Sequence, residues 1–123
     1  MKKILTVAAA FSLCLISLGL AEDRPAHFKG KESPNLEVAL ANLKESNAQL
    51  AEILQKEELG GEDLLQVHIL SYTIENALET IGKEQVRLAE LMEEVHVASE
   101  KNDAKTVKTS GEAFLKAAAP LTE

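Results

Sequence analysis

The chain has 123 residues with a net charge of −7, one cysteine, no tryptophan and 3% aromatic residues. Such an acidic chain is repelled by nucleic acid and by anionic membrane surfaces, and so few rings give no platform on which bases could stack. A single cysteine rules out an intramolecular disulfide framework and a Cys-x-x-Cys-His haem attachment motif, so stability has to come from packing within one small domain.

Residues 1–21, MKKILTVAAAFSLCLISLGLA, begin with Lys2 and Lys3, continue through an apolar run and close on Gly19 and Ala21. This is the pattern of a secretory signal peptide cut after Ala21, and its residues are set aside from fold reasoning. An uncleaved anchor is the rival, but the run is at the short end of the roughly 20 residues that span a bilayer. Cys14 lies inside the apolar run and follows Leu13, a poor setting for lipidation. Cleavage removes two lysines and no acid, which takes the net charge from −7 to −9 and leaves no cysteine. The expected destination is the periplasm.

Residues 22–33, EDRPAHFKGKES, have no hydrophobic period and contain Pro25 and Gly30. They read as an extended N-terminal arm, with Phe28 as a side chain able to dock on the body. The helical domain is expected over 34–123. Ser33 followed by Pro34 is a helix start, a capping hydroxyl before proline at the first helical position. Leu36, Leu40, Leu43, Asn47, Leu50 and Leu54 then recur at alternating steps of four and three, one stripe of a helix. Gly60-Gly61 is placed to end it in a left-handed turn, and Glu62 and Asp63 suit the N-terminus of the next helix.

Val67, Leu70, Ile74, Ala77, Ile81, Leu88, Leu91, Val95 and Ala98 hold a three-four rhythm that Glu84 interrupts without a change of phase. A loop at Gly82 would reset the phase, so one continuous helix from about Glu62 to Glu100 is expected, roughly 58 Å long. The alternative is a break at Gly82 and a four-helix up-down-up-down bundle. Asn102-Asp103 caps a last helix whose buried stripe is Ala104, Val107, Gly111, Phe114 and Ala118. Gly111 would allow close approach, and Pro120 is the stop. No strand pattern is present. The fold class is therefore all-α, an antiparallel helical bundle with a long central helix. Its outer helices cover the two halves of that central helix and leave much of the molecule two helices thick, which favours a homodimer.

ELMEEVHVASE, residues 90–100, contains a Glu-x-x-His pair, Glu93 and His96, and a Met and a His one turn apart, Met92 and His96. Such spacings occur in metal and haem sites when the side chains project into a bundle. Against the stripe of Leu88, Leu91 and Val95, however, Glu93 points outward and His96 lies at the flank. Met92 lies beside the stripe and reads as core, and His68 reads as half-buried beside Val67 and Leu64. The metal-ligating candidates are thus His96, Met92 and His68, set against an acidic, solvated helix face. Thr73, Asn76, Glu84, Gln85 and Asn47 lie at or near the buried stripes. They read as register-setting polar residues, or as a polar pocket beside Tyr72. No residue constellation for nucleophilic catalysis is present, and neither an enzyme nor a bound cofactor is expected.

The segments EDRPAHFKGK at 22–31, ENAL at 75–78, EEVHVASE at 93–100 and GEAFL at 111–115 resemble small exported all-helical bacterial proteins grouped around a domain of unknown function. The resemblance implies export and helices and supplies no activity. In length, export and final amphipathic helix the chain also resembles soluble four-helix cytochromes of the b and c-prime types. Their haem attachment motif is absent, since the last helix has neither Cys nor His. The sequence thus supports an exported interaction or structural module. A metal or haem carrier and an acidic stress chaperone are the alternatives.

Overall fold

The computed structural model describes residues 29–123. The signal peptide expected at 1–21, and the expected arm as far as Phe28, lie outside the described residues. Helix α1 spans Leu36–Leu54, α2 Gly61–Glu100 and α3 Ala104–Ala118, and a 3-10 turn follows at Ala119–Leu121. α1 and α3 both pack antiparallel on α2. They do not pack on each other, and only the final turn touches α1. At 1.5 Å per residue α2 is about 60 Å long, while α1 and α3 together reach about 51 Å, so they lie end to end along it. The expected all-α architecture with a long central helix is the one observed, and α2 runs through Gly82 without a break.

The ends of the helices follow local chemistry, with some corrections to the sequence reading. α1 starts two residues later than Ser33-Pro34 suggested, because Asn35 is the cap and its Oδ1 accepts from the Val38 N–H at 3.0 Å. α1 also stops early, at Leu54. Gly60-Gly61 does not end it in a left-handed turn; Gly60 has φ −85° and is the cap of α2. Asp63 in the first turn of α2 accepts from the Gly60 N–H at 3.0 Å and pairs with Lys56. At the other end Asn102 takes φ 55°, a conformation that asparagine tolerates. There the Asp103 N–H bonds to Ala98 O at 2.9 Å and the Asn102 N–H to Ser99 O at 3.3 Å, which satisfies the last carbonyls of α2. Asp103 caps α3 as expected, accepting from the Thr106 N–H at 3.1 Å and from its hydroxyl at 2.6 Å. Pro120 lies in the 3-10 turn that follows α3.

The core is thin. Its buried apolar members are Leu36, Ala39, Leu70, Tyr72, Ala77, Leu88 and Ala98, joined by the polar Ser33, Asn42, Ser46, Thr73 and Ser110. Among the described residues no large side chain is completely enclosed. The buried line of α1 is Leu36, Ala39, Asn42 and Ser46, so the leucine stripe beyond Leu36 is turned to the edge of the contact. Leu40, Leu43 and Leu50 are half-buried, and Asn47 and Leu54, expected on the buried stripe, are exposed. α3 behaves alike. Ser110 is its most buried residue and its hydroxyl donates to Glu94 Oε2 at 2.9 Å, while Ala104 is exposed. A Cβ on Gly111 would meet only Val95 Cγ2 at 4.0 Å, so this glycine is not needed for close approach.

The hydrogen bond from Lys56, then that from the Gly60 N–H, lowers the Asp63 carboxyl below its ordinary 3.8. The Thr106 hydroxyl, then the Thr106 N–H, does the same for Asp103. Both groups ionise more readily folded than unfolded, so their contribution is complete above the ordinary value and is lost as pH falls through the lowered ones. Urea unfolding at pH 7 and near pH 3 should show a smaller acid loss for Asp63→Asn/Asp103→Asn than for the unaltered chain. An equal loss would remove these caps from the account.

Candidate functional site

The sequence candidates for a metal or haem site are not brought together. His96 is exposed, with Nε2 3.2 Å from Glu100 Oε1 one turn on, and Glu93 is exposed as its phase indicated. Met92, expected in the core, is 41% exposed, because α3 covers the Leu88, Leu91 and Val95 side of α2 and leaves its own side open. His68, expected half-buried, is exposed as well. Its ring meets Tyr72 edge-on with centroids 5.0 Å apart, and Nε2 is 3.4 Å from the Tyr72 hydroxyl. His68 and His96 are 28 residues apart on one unbroken helix, about 42 Å. Among the described residues there is no group of three or more His, Cys, Asp or Glu side chains placed to hold a metal ion.

What the polar residues of α2 build instead is a clamp on the arm. Thr73, Asn76 and Thr80 follow one another at steps of three and four and so share a helix face. Asn76 Nδ2 donates to Lys29 O at 2.8 Å and to Lys31 O at 3.1 Å. Thr73 Oγ1 accepts from the Lys31 N–H at 3.0 Å, and the Thr80 hydroxyl donates to Ser33 O at 2.6 Å. From α1, Asn42 Nδ2 donates to Glu32 O and to Ser33 Oγ, both at 3.1 Å. Lys31 Nζ adds an ion pair with Glu45 at 2.6 Å. Residues 29–33 therefore lie in the groove between α1 and α2, held mostly by side chains that bind main chain. This gives Thr73 and Asn76 a role that neither a register device nor an empty pocket supplies. Glu84 pairs with Arg87 and Gln85 is exposed, so neither joins the clamp.

Gly30 makes the clamp close. Its φ is +68°, and a Cβ there would lie 2.6 Å from Thr73 N and 2.7 Å from Tyr72 C, both main-chain atoms of α2. No flexible side chain can move aside to make room. The sequence carried a signal that went unread: a Gly-containing segment without period, upstream of Thr and Asn at helical spacing.

A second feature is apolar. On α2 one row, the half-buried Val67, Ile74, Ile81 and Val95 with the buried Leu88, has an outer companion at the alternate heptad position: Leu64, Ser71, Leu78, Gln85, Met92 and Ser99. Leu64 is 57% and Leu78 52% exposed. No charged residue occupies either row, in a chain that is 27% charged. The seam lies about 80° round α2 from its contact with α1 and α3, and the leucine stripe of α1 is turned by a similar angle. Because α1 runs antiparallel to α2, these turns bring both stripes to the same side of the layer. An opening of about 280 Å³ interrupts that side at mid-length, between Leu36, Ile81, Gln85, Leu88 and Leu121, where the N-terminus of α1 meets the final turn.

Fold and site together define a single layer of antiparallel helices with a clamped N-terminal arm and one uncharged apolar face. The chain belongs to the family of unknown function DUF6746, whose model matches residues 1–123. No curated protein and no solved structure matches it. Among the described residues no helix is long and apolar enough to cross a membrane.

Two substitutions test the clamp. Gly30→Ala forces a left-handed alanine against the backbone of α2 and should cost about 2 kcal/mol or more. Asn76→Ala removes two hydrogen bonds and should cost about 1–2 kcal/mol. Urea unfolding measures both, and faster tryptic cleavage after Lys29 and Lys31 should accompany them. Wild-type cleavage rates in both variants would mean that the arm is not held this way.

Proposed function

We propose that this protein is an exported, non-enzymatic helical module that works by binding, in the first place to a second copy of itself. The observation that carries the reading is the uncharged seam of α2, half open to solvent along a helix of 40 residues. An apolar face of that length on an acidic chain marks an interaction surface rather than scattered surface leucines. The heptad spacing suits another helix, and a second two-helix layer would complete a four-helix cross-section. Export to the periplasm rests on the signal-like residues 1–21, and the acidic faces keep the assembly soluble. No bound cofactor enters this reading.

Sedimentation equilibrium at micromolar concentration should give twice the chain mass. Leu78→Glu places a carboxylate at the centre of the seam, at a position already half-exposed in one chain. It should leave the helical circular dichroism unchanged and weaken the dimer by about 100-fold or more. A wild-type monomer, or a Leu78→Glu dimer of undiminished strength, would refute the reading.

A further inference from the structure

The clamp defines a ligand as well as a contact. We infer that the groove between α1 and α2 is a binding site for a non-helical peptide segment of the pattern Gly-Lys-x-Ser in a partner protein, and that the chain's own residues 29–33 are its built-in competitor. The groove uses Asn42, Glu45, Thr73, Asn76 and Thr80, none of which belongs to the apolar seam, so the site does not depend on self-association.

The groove holds the arm chiefly by its backbone. It reaches the carbonyls of Lys29, Lys31, Glu32 and Ser33 and the N–H of Lys31. Any chain offers such groups. Peptide sites work in this way, drawing affinity from main-chain hydrogen bonds and specificity from a few side-chain positions. Each bond also replaces one to water and so adds little net stability. The arm is therefore held by contacts that part and re-form, as a competitor must be.

Three positions of the arm are read by more than backbone. Position 30 admits glycine alone, since its φ is +68° and a Cβ would stand 2.6 Å from Thr73 N. Position 31 selects a cation, because Glu45 lies 2.6 Å from Lys31 Nζ. Position 33 selects a small hydroxyl: Ser33 is buried and its Oγ accepts from Asn42 Nδ2 at 3.1 Å. Lys29 and Glu32 are exposed, and their positions are open to other residues.

The arm does not fill the groove. An open recess of about 370 Å³ remains beside it, bordered by Lys29, Ser33, Pro34, Asn76, Thr80 and Lys83. A partner segment has room there for contacts that the arm does not make. What keeps the site closed in the single chain is tethering. A segment joined by a short linker acts at an effective concentration on the order of millimolar, and a partner has to compete with that.

The test is fluorescence anisotropy with a synthetic peptide of residues 29–35, KGKESPN, labelled at its N-terminus, on full-length chains. Gly30→Ala expels the resident arm and leaves the groove unaltered, so it should bind the peptide about 10-fold or more tightly than the unaltered chain does. Lys31→Glu sets a second carboxylate against Glu45 at an exposed position. It should also bind more tightly than the unaltered chain, and it decides the matter if Gly30→Ala loses its helical circular dichroism. The same peptide with alanine in place of its glycine should bind about 10-fold or more weakly, as should the wild-type peptide when Asn76→Ala is added to either chain. No binding to a folded variant at millimolar peptide would overturn the inference. So would equal binding of the glycine and alanine peptides, the mark of a cation adsorbed on a chain of net charge −7. Equal affinity for the altered and unaltered chains would place the peptide outside the groove and overturn it too. To exclude a second copy as the occupant, Gly30→Ala/Leu78→Glu is mixed with Leu78→Glu. The mixture should stay monomeric, and a complex between the two would assign the groove to the arm of another copy and overturn the partner protein.

Discussion

Everything in this molecule depends on covering α2. A helix of 40 residues cannot bury its own apolar arc, and most of the stability of such a helix comes from packing rather than propensity. The chain has 19 residues in α1 and 15 in α3 for the task. Laid end to end they cover one flank for most of its length and leave the other open. The result is a layer whose largest buried apolar side chains are single leucines and one tyrosine, Leu36, Leu70, Leu88 and Tyr72. Burying a leucine contributes only about 1.5–3 kcal/mol, so the intramolecular core is modest. The open seam and the thin core are two views of the same shortage of helix.

The N-terminal arm answers part of that shortage in another way. Where α1 meets α2 through Ala39, Asn42 and Ser46, small side chains leave room for a third strand of chain, and residues 29–33 fill it. The arm brings main-chain polar groups into a partly buried groove, where each must find a partner. Asn42, Thr73, Asn76 and Thr80 supply those partners, and among the described residues no buried side-chain polar atom is left without one. Polar residues on a buried face thus mark a place where backbone enters. The clamp is also selective: with main chain of α2 on one side and Gly30 on the other, a side chain has no room at that point.

Much of the fold could be read in the sequence, because it is written in features that act locally. The unbroken three-four rhythm across Gly82 gave the long helix, Asp103 gave the start of α3, and the phase of Glu93 and His96 gave their exposure. The errors share one cause. A stripe of large apolar residues locates the centre of an apolar arc, not the part of it that a neighbour covers. On α1 the stripe supplies only Leu36 to the buried line; Ala39, Asn42 and Ser46, which no hydrophobicity rhythm singles out, complete it, and Asn47 and Leu54 are left outside. On α2 the same uncertainty put Met92 in the core and passed over its row with Leu64 and Leu78. The cap at Asn35 was missed because Ser33-Pro34 offers an equally good local signal, and what decides between them is tertiary. Ser33 is taken by Asn42 and Thr80 of the clamp.

The central claim is that one chain holds half of a core. It is tested most directly by the midpoint of thermal unfolding followed over a thousandfold range of protein concentration. If association completes the core, binding is linked to folding and the midpoint rises steadily with concentration. A midpoint that stays constant from nanomolar to micromolar chain would contradict the claim and mean that the single layer is stable on its own.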